Sequence, residues 1–145
     1  MFGSFGLPEL LVLLVIFMSL LVVLVPGIFF LLTVQKALER CAPESRTMSP
    51  GEVWLMLIPL FNVVWQFIMV LRVSSSLANE FCRRNLPIEA EPGQALGLAC
   101  CILIVISIIP VIGFLSGIAA LVCWIMYWVK IADYSSQLAA APARN

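Results

Sequence analysis

The sequence predicts an all-α integral membrane protein, in which residues 1–145 form a single domain of four transmembrane helices and the third and fourth make a tight hairpin. Of the 145 residues, 63% are hydrophobic and 11% are charged, whereas soluble domains are about half apolar and about a quarter charged. The apolar residues also form long runs without charges, and a run of about 17–25 such residues can cross a bilayer as a helix.

The first predicted span covers residues 10–34 and contains no charge. As an α-helix it would be about 37 Å long, more than the roughly 30 Å of the hydrocarbon core. A tilt, or a kink at Pro26-Gly27, is therefore expected. Pro8-Glu9 ahead of this span is a favourable helix start, because proline fits the first turn and an acidic side chain stabilises the positive end of the helix dipole.

The second predicted span covers residues 53–71, with Pro59 in its interior. The preceding Ser49-Pro50-Gly51-Glu52 has the pattern of a helix start: an N-cap, a proline in the first turn and a nearby acid. Beyond Arg72, apolar residues recur three or four apart and polar residues take the other face, which predicts an amphipathic extension into the interface. The apolar face consists of Val70, Val73, Leu77 and Phe81, and the polar face of Ser74, Ser75, Asn79, Glu80, Arg83 and Arg84.

The third apolar region, residues 95–131, has no charge before Lys130. One helix of that length would measure about 56 Å, too long to cross once. Near its middle, Pro110 and Gly113 are the residues that favour a break in the helix. The region is therefore predicted to form two spans, at 93–109 and 114–131, joined as a hairpin.

Interfacial anchors are predicted where the spans end, because Trp, Tyr and basic residues are enriched at membrane–water interfaces. Arg72 follows the second span, and Trp124, Trp128 and Lys130 lie at the end of the fourth.

The basic residues near the span ends favour a cytoplasmic location for both termini. In a chain of four alternating crossings, one side collects Arg72, Arg83, Arg84, Lys130 and Arg144, and the other collects Lys36, Arg40 and Arg46. The first helix alone favours the opposite orientation, because all of its basic residues follow it.

A weak internal repeat is also visible. Pro50-Gly51 is followed by Ile58-Pro59, and Pro92-Gly93 by Ile109-Pro110. The prolines are 9 residues apart in the first copy and 18 in the second. The pattern fits both a duplication and a chance similarity.

The stretch Phe5-Gly6-Leu7-Pro8-Glu9-Leu10-Leu11-Val12 resembles the N-terminus of TatA and TatB, components of the twin-arginine protein translocase, which often open with a G-x-P-E-L-L-type stretch. The resemblance implies that Glu9 is the polar residue at the helix mouth that contacts partner subunits, and that the N-terminus lies outside. It covers about a dozen residues, and this chain departs from the family in its longer first helix, its lack of a Phe-Gly hinge and its three further predicted spans.

Residues 50–54 and 58–65, followed by Arg72, are similar to small uncharacterised bacterial membrane proteins with four spans. This similarity implies a multi-pass protein of the bacterial inner membrane and implies no activity.

Asn62 and Gln66 are the most informative residues inside a predicted span. They are four apart and therefore share one helix face, and lipid offers no hydrogen-bond partner at that depth. One interpretation is a polar lining for a pore or solute site. The other is hydrogen bonding between helices, together with satisfaction of the carbonyl freed by Pro59.

Two glycine pairs, Gly93/Gly97 and Gly113/Gly117, have the small-xxx-small spacing that lets membrane helices approach closely. These faces are predicted to serve either the hairpin of the third and fourth helices or an oligomer.

The sequence offers no pattern typical of catalysis. It contains no histidine, no Ser-His, Cys-His or paired-carboxylate arrangement, and no phosphate loop or metal-ligand spacing. No ionisable residue lies deep in a predicted span, which argues against ion-coupled transport. The 8 basic and 8 acidic residues cancel, so a nucleic-acid surface is not expected.

We therefore expect a non-enzymatic membrane protein without metal or cofactor, in contact with the lipid bilayer. Its expected role is that of a structural or accessory subunit of a homo-oligomer or a larger membrane complex. The alternative is a passive oligomeric channel with a polar lining from the second helix.

Overall fold

A computed structural model describes residues 6–141 and is helical throughout its regular structure. Its elements are α1 (Leu7–Arg40), a 3₁₀ helix (Pro50–Leu57), α2 (Pro59–Arg83), α3 (Gln94–Ile106) and α4 (Pro110–Ala140). In this part of the chain α1, α2 and α4 are long and apolar enough to cross a membrane, whereas α3 is a shorter apolar helix. The predicted all-helical fold is confirmed, and its long apolar helices are compatible with a helical membrane protein. The four crossings stay a prediction.

The second predicted span, 53–71, is not one continuous helix. A 3₁₀ helix begins at Pro50 as the helix-start pattern predicted, but it ends at Leu57, and Pro59 is the first residue of α2. The indole N–H of Trp65 donates to the carbonyl of Glu52 at 3.0 Å, which shows that the backbone reverses between the two elements. Proline disfavours helical backbone at the preceding residue and lacks an N–H. Placing Pro59 inside a span was therefore wrong.

The predicted hairpin of the third and fourth helices is confirmed, with its break at residues 107–109. Pro110 opens α4, and Gly113 lies inside it rather than in the turn. The residue before each helix-opening proline has nearly the same extended backbone: φ/ψ is −80°/112° at Ile58 and −79°/118° at Ile109. Each half of the internal repeat thus forms a helical hairpin, and the second helix of each hairpin begins at the proline of an Ile-Pro pair.

The helices α1, α2 and α4 all end at the same end of the molecule, which we call the polar end. Trp128 donates to Thr33 at 2.9 Å and Arg40 donates to Ser135 at 2.6 Å, so α1 and α4 run parallel. The rings of Phe81 and Tyr134 are 5.6 Å apart and bring the last turns of α2 and α4 together. Each hairpin therefore leaves the polar end and returns to it, an arrangement unlike four alternating crossings.

A buried ion pair joins the three helix ends. Arg84 donates to the carbonyls of Arg40, Leu138 and Ala141 at 2.9, 2.9 and 2.7 Å. These are C-terminal carbonyls of α1 and α4, which lack partners within their own helices and attract positive charge. Glu80 is fully buried and accepts a 2.6 Å hydrogen bond from Arg84.

The carboxylate of Glu80 lies in the polar second half of α2, beyond the apolar stretch that ends at Leu71. Burial alone would raise its pKa, but hydrogen bonds from Arg83, the Ala42 N–H, Arg84 and Ser45 together outweigh burial and lower the pKa to about 2. The predicted amphipathic extension is present, but Ser74 and Glu80 of its polar face are buried rather than exposed.

The first part of α1 contains no buried residue. The buried residues of α1 are Phe30, Leu31, Val34, Ala37 and Leu38, all in the second half of the helix. The most apolar 18-residue stretch of α1 contains no buried residue. The core therefore surrounds only the C-terminal half of α1.

We predict that Glu80→Gln destabilises the fold by about 3–5 kcal/mol, because Arg84 would then be buried without a carboxylate. The exposed pair Glu89–Lys130 is the matched control, and Glu89→Gln should cost less than about 1 kcal/mol. The measurement is the unfolding midpoint in mild detergent by circular dichroism. Equal costs for the two variants would contradict the structural role of Glu80.

The same pair predicts a pH dependence. The pKa of Glu80 is lower in the folded chain than its ordinary value of 4.5. Its contribution to the unfolding free energy is therefore complete above about pH 4.5 and is lost as the pH falls towards 2. The difference in midpoint between the wild type and Glu80→Gln should shrink over that interval, and an unchanged difference at pH 3 would contradict this assignment.

Two glycines of α4 give a second matched pair. A Cβ at Gly113 would lie 2.4 Å from the backbone oxygen of Ser107, whereas a Cβ at Gly117 would meet nothing within 4 Å. Gly113→Ala should destabilise by about 1–3 kcal/mol through overpacking of the hairpin. Gly117→Ala should stabilise by about 0.5–1 kcal/mol, because alanine favours helix. The same detergent midpoints test both, and a destabilising Gly117→Ala would be inconsistent with this packing.

Candidate intramembrane cavity

All five helical elements contribute to one cavity of about 520 Å³. Its lining residues are Val22, Val23, Pro26 and Gly27 of α1, Met56 of the 3₁₀ helix, Asn62 and Gln66 of α2, Ile104 and Ser107 at the end of α3, and Gly117, Ala120, Leu121 and Trp124 of α4. None of these side chains is ionisable. The cavity is thus apolar, with a few neutral polar groups.

The position of the two amides follows from the start of α2. Because Pro59 is the first helical residue, Asn62 and Gln66 lie in its first two turns and not in the middle of a span. Their spacing of four still places them on one face, and both line the cavity. No interior carbonyl is freed by Pro59, so that part of the predicted structural role is excluded.

Asn62 has an unsatisfied polar atom. Its Oδ1 is buried and has no hydrogen-bond partner within residues 6–141. A buried acceptor without a donor costs about 1–3 kcal/mol. The hydroxyl of Ser107, by contrast, donates to the carbonyl of Ile104 at 2.6 Å. The described chain therefore does not use Asn62 to hold its own helices together.

Gly93 and Gly113 pack within the hairpin, Gly97 packs between Val70 of α2 and Tyr127 of α4, and Gly117 lines the cavity. A Cβ at Gly97 would lie 2.6 Å from Val70 and 3.0 Å from Tyr127. Gly93 precedes α3 with φ of +72°, which favours glycine, and also faces Tyr127. Gly113 contacts the Ser107 carbonyl, whereas Gly117 is free of such contacts. Close approach within the chain thus accounts for Gly93, Gly97 and Gly113.

The predicted interfacial anchors lie inside the bundle or in pairs at its polar end. The rings of Trp124 and Trp128 are 5.4 and 6.1 Å from that of Phe30 on α1. Lys130 donates to Glu89 at 2.8 Å. The two tryptophans thus fasten α4 to α1, a contact that the aromatic-belt pattern did not predict.

Arg72 lies near the middle of α2, and Glu9 lies in the first turn of α1. Arg72 pairs with Glu52 at 3.5 Å and lies 6.0 Å from the ring centre of Trp65. Glu9, in the exposed first turn of α1, accepts a hydrogen bond from the N–H of Gly6. This is a helix-start contact, as the Pro8-Glu9 pattern predicted. Contact of Glu9 with a partner subunit stays a prediction.

The buried role of Glu80 and Arg84 was not predicted from the sequence. Their spacing of four, with the acid first, is the favourable order for an ion pair on a helix, and this signal was present in the sequence. Cys41 lies beside them: burial, and next the charge of Glu80, raise the pKa of its thiol to about 12. This thiol is therefore protonated and poorly reactive at neutral pH.

No protein-family model, curated protein or solved structure matches the chain.

We predict that Asn62→Leu does not destabilise the fold and stabilises it by up to about 1 kcal/mol, because it removes an unpaired buried acceptor. Thr33→Val is the control, since the Thr33 hydroxyl accepts from Trp128 at 2.9 Å, and its loss should cost about 1 kcal/mol. Detergent unfolding midpoints measure both. A cost for Asn62→Leu equal to that of Thr33→Val would indicate that Asn62 bonds a neighbouring helix.

Proposed function

We propose that α1 crosses the membrane, and that the two hairpins enter from the polar end and return to it. The whole of α1 is about 51 Å long, whereas the apolar part of α2, from Pro59 to Leu71, is about 20 Å, roughly two thirds of the hydrocarbon core. The hairpin tips are exposed and apolar, with Ile58 and Leu60 in the first and Ile108, Ile109 and Val111 in the second. Exposed apolar tips of this kind are more favourable in the hydrocarbon core of a bilayer than in water.

The basic residues support one orientation for this arrangement. Five of the eight lie in the last two turns of α1 and α2 or in the connections that follow, namely Lys36, Arg40, Arg46, Arg83 and Arg84. Arg72 and Lys130 follow the apolar stretches of α2 and α4 about three turns before those helices end, and Arg144 falls outside the described residues. The positive-inside rule then places the polar end in the cytoplasm and the N-terminus outside. The five-to-three count in favour of cytoplasmic termini assumed alternating crossings. This orientation agrees with the one that the TatA/TatB resemblance implies, and a bacterial inner membrane is the proposed location.

Within that membrane we propose that the chain is a non-enzymatic subunit of a homo-oligomer or larger complex. The observation that carries this proposal is that no residue in the first half of α1 is buried. Along it, Val12, Val15, Ser19 and Val22 recur at spacings of three and four on one face, the pattern of a helix-pairing seam. Their small or β-branched side chains allow close approach of a second helix.

The alternative is a passive channel with a lining from α2. In its favour, Asn62 and Gln66 line a cavity. That cavity is bounded by the chain's own helices, so a solute path would run through each protomer and not between copies. Vesicles reconstituted with the protein should then conduct solutes, and Asn62→Leu should change the rate.

Cysteine labelling from each side of the membrane tests the arrangement. In a background with Cys41, Cys100, Cys101 and Cys123 replaced by Ala, the exposed native Cys82 and an introduced Ser49→Cys should react with an impermeant maleimide from the same side. Four alternating crossings would place these two positions on opposite sides. Labelling from opposite sides would therefore overturn the two-hairpin arrangement.

Association through α1 is tested by a pair of neighbouring substitutions. Val15 and Leu14 are both exposed, so Trp at either position should leave the fold intact. We expect Val15→Trp, on the proposed seam, to abolish the oligomer in native mass measurements from lipid nanodiscs, and Leu14→Trp to leave it unchanged. A wild-type protein that is monomeric, with no partner crosslinked in native membranes, would contradict the subunit proposal.

A further inference from the structure

We propose that the intramembrane cavity binds a neutral lipid-like molecule that carries a hydroxyl group on a long apolar body. The inference rests on the membrane placement proposed above, but it does not require the chain to be a subunit. Its support comes from the depth, size and chemistry of the cavity.

The depth of the cavity points to a ligand that arrives from the bilayer. Gly117 lies 13 residues before Lys130 on α4, and Asn62 lies 10 residues before Arg72 on α2. At the α-helical rise these positions are about 20 and 15 Å from the first basic residue that follows them on their helices. A water-soluble ligand would have to cross hydrocarbon to reach them, whereas a lipid-soluble one enters laterally.

The size of the cavity favours a slender molecule over a helix. A volume of about 520 Å³ is typical of small-molecule sites. A transmembrane helix about 10 Å wide would place only a turn or two in such a volume. The walls on the α1 and α4 sides include Gly27 and Gly117, and a Cβ on either would meet nothing within 4 Å. The space beside both glycines is therefore free.

The chemistry of the lining selects a neutral hydroxyl. A charged group would be buried without an opposite charge, which is costly. A plain acyl chain would leave the amides of Asn62 and Gln66 without partners in hydrocarbon. A hydroxyl both donates and accepts, as an amide does, and can serve these two side chains with one small group.

Photolabelling tests the proposal. The probe is a long-chain fatty alcohol carrying a diazirine, and the comparison probe is the same chain without the hydroxyl, each in phosphatidylcholine vesicles containing the protein. In the wild type we expect the alcohol to label peptides that contain Gln66 and Leu121 about tenfold more than the hydrocarbon does, the factor expected for about one hydrogen bond. Asn62→Leu should remove most of this preference.

Gly117→Leu should fill the cavity and reduce labelling by the alcohol about tenfold or more. Gly51→Leu is the matched control, because a Cβ at Gly51 also meets nothing within 4 Å and Gly51 lies outside the cavity. Circular dichroism checks the fold of each variant. If Gly117→Leu fails to fold, Asn62→Leu carries the test through its loss of preference for the alcohol.

Competition distinguishes two sources of the ligand. Unlabelled diacylglycerol represents the membrane's own neutral lipids, and unlabelled fatty alcohol represents a free single-chain ligand. Competition by either supports the site and identifies its source. Labelling that is equal for the alcohol and the hydrocarbon, or unchanged in Gly117→Leu, would overturn the proposal. An oligomer that persists in that case would leave the subunit proposal standing.

Discussion

The carboxylate of Glu80 and the guanidinium of Arg84 hold the polar end together, and the arrangement of every helix depends on them. Arg84 reaches the final carbonyls of α1 and α4 from the end of α2, so three helices must end at one level. Glu80 neutralises that arginine and accepts the Ala42 N–H at 2.9 Å, which fixes the first connection as well. Because both groups are removed from water, neither can leave without exposing an unpaired charge to the interior.

Because three helices end at one level, the apolar segments between those ends must form hairpins. If the ends of α1, α2 and α4 meet, the chain between them must go out and come back, and the two Ile-Pro steps are where it turns. The 3₁₀ helix and α3 are shorter than the helices that return from them, so each hairpin has one short and one long arm. The first half of α1 extends beyond the core and is left for lipid or another chain.

The cavity is a consequence of the same geometry. The Trp124–Phe30 contact fastens α4 to α1 on the side nearer the polar end, while Pro26, Gly27 and Gly117 on the far side supply little or no side-chain volume. The amides of α2 face that gap because α2 begins at Pro59, and Asn62 consequently keeps an oxygen without a partner. The proposed subunit surface on α1 and the cavity meet at Val22 and Val23. Their proposed ligands differ: the surface would bind a second helix, and the cavity would bind a slender molecule.

Length, charge exclusion and helical periodicity are local properties, so the sequence alone was enough to predict the all-helical fold, the hairpin of α3 and α4, and the polar face shared by Asn62 and Gln66. It could not determine that the second apolar run folds back at Pro59, since a proline can kink, open or end a helix according to what packs against it. Nor could it separate Gly113, pressed on a carbonyl, from Gly117, beside empty space. The tertiary structure decided these points, together with the burial of Glu80, because each depends on which distant residue lies opposite.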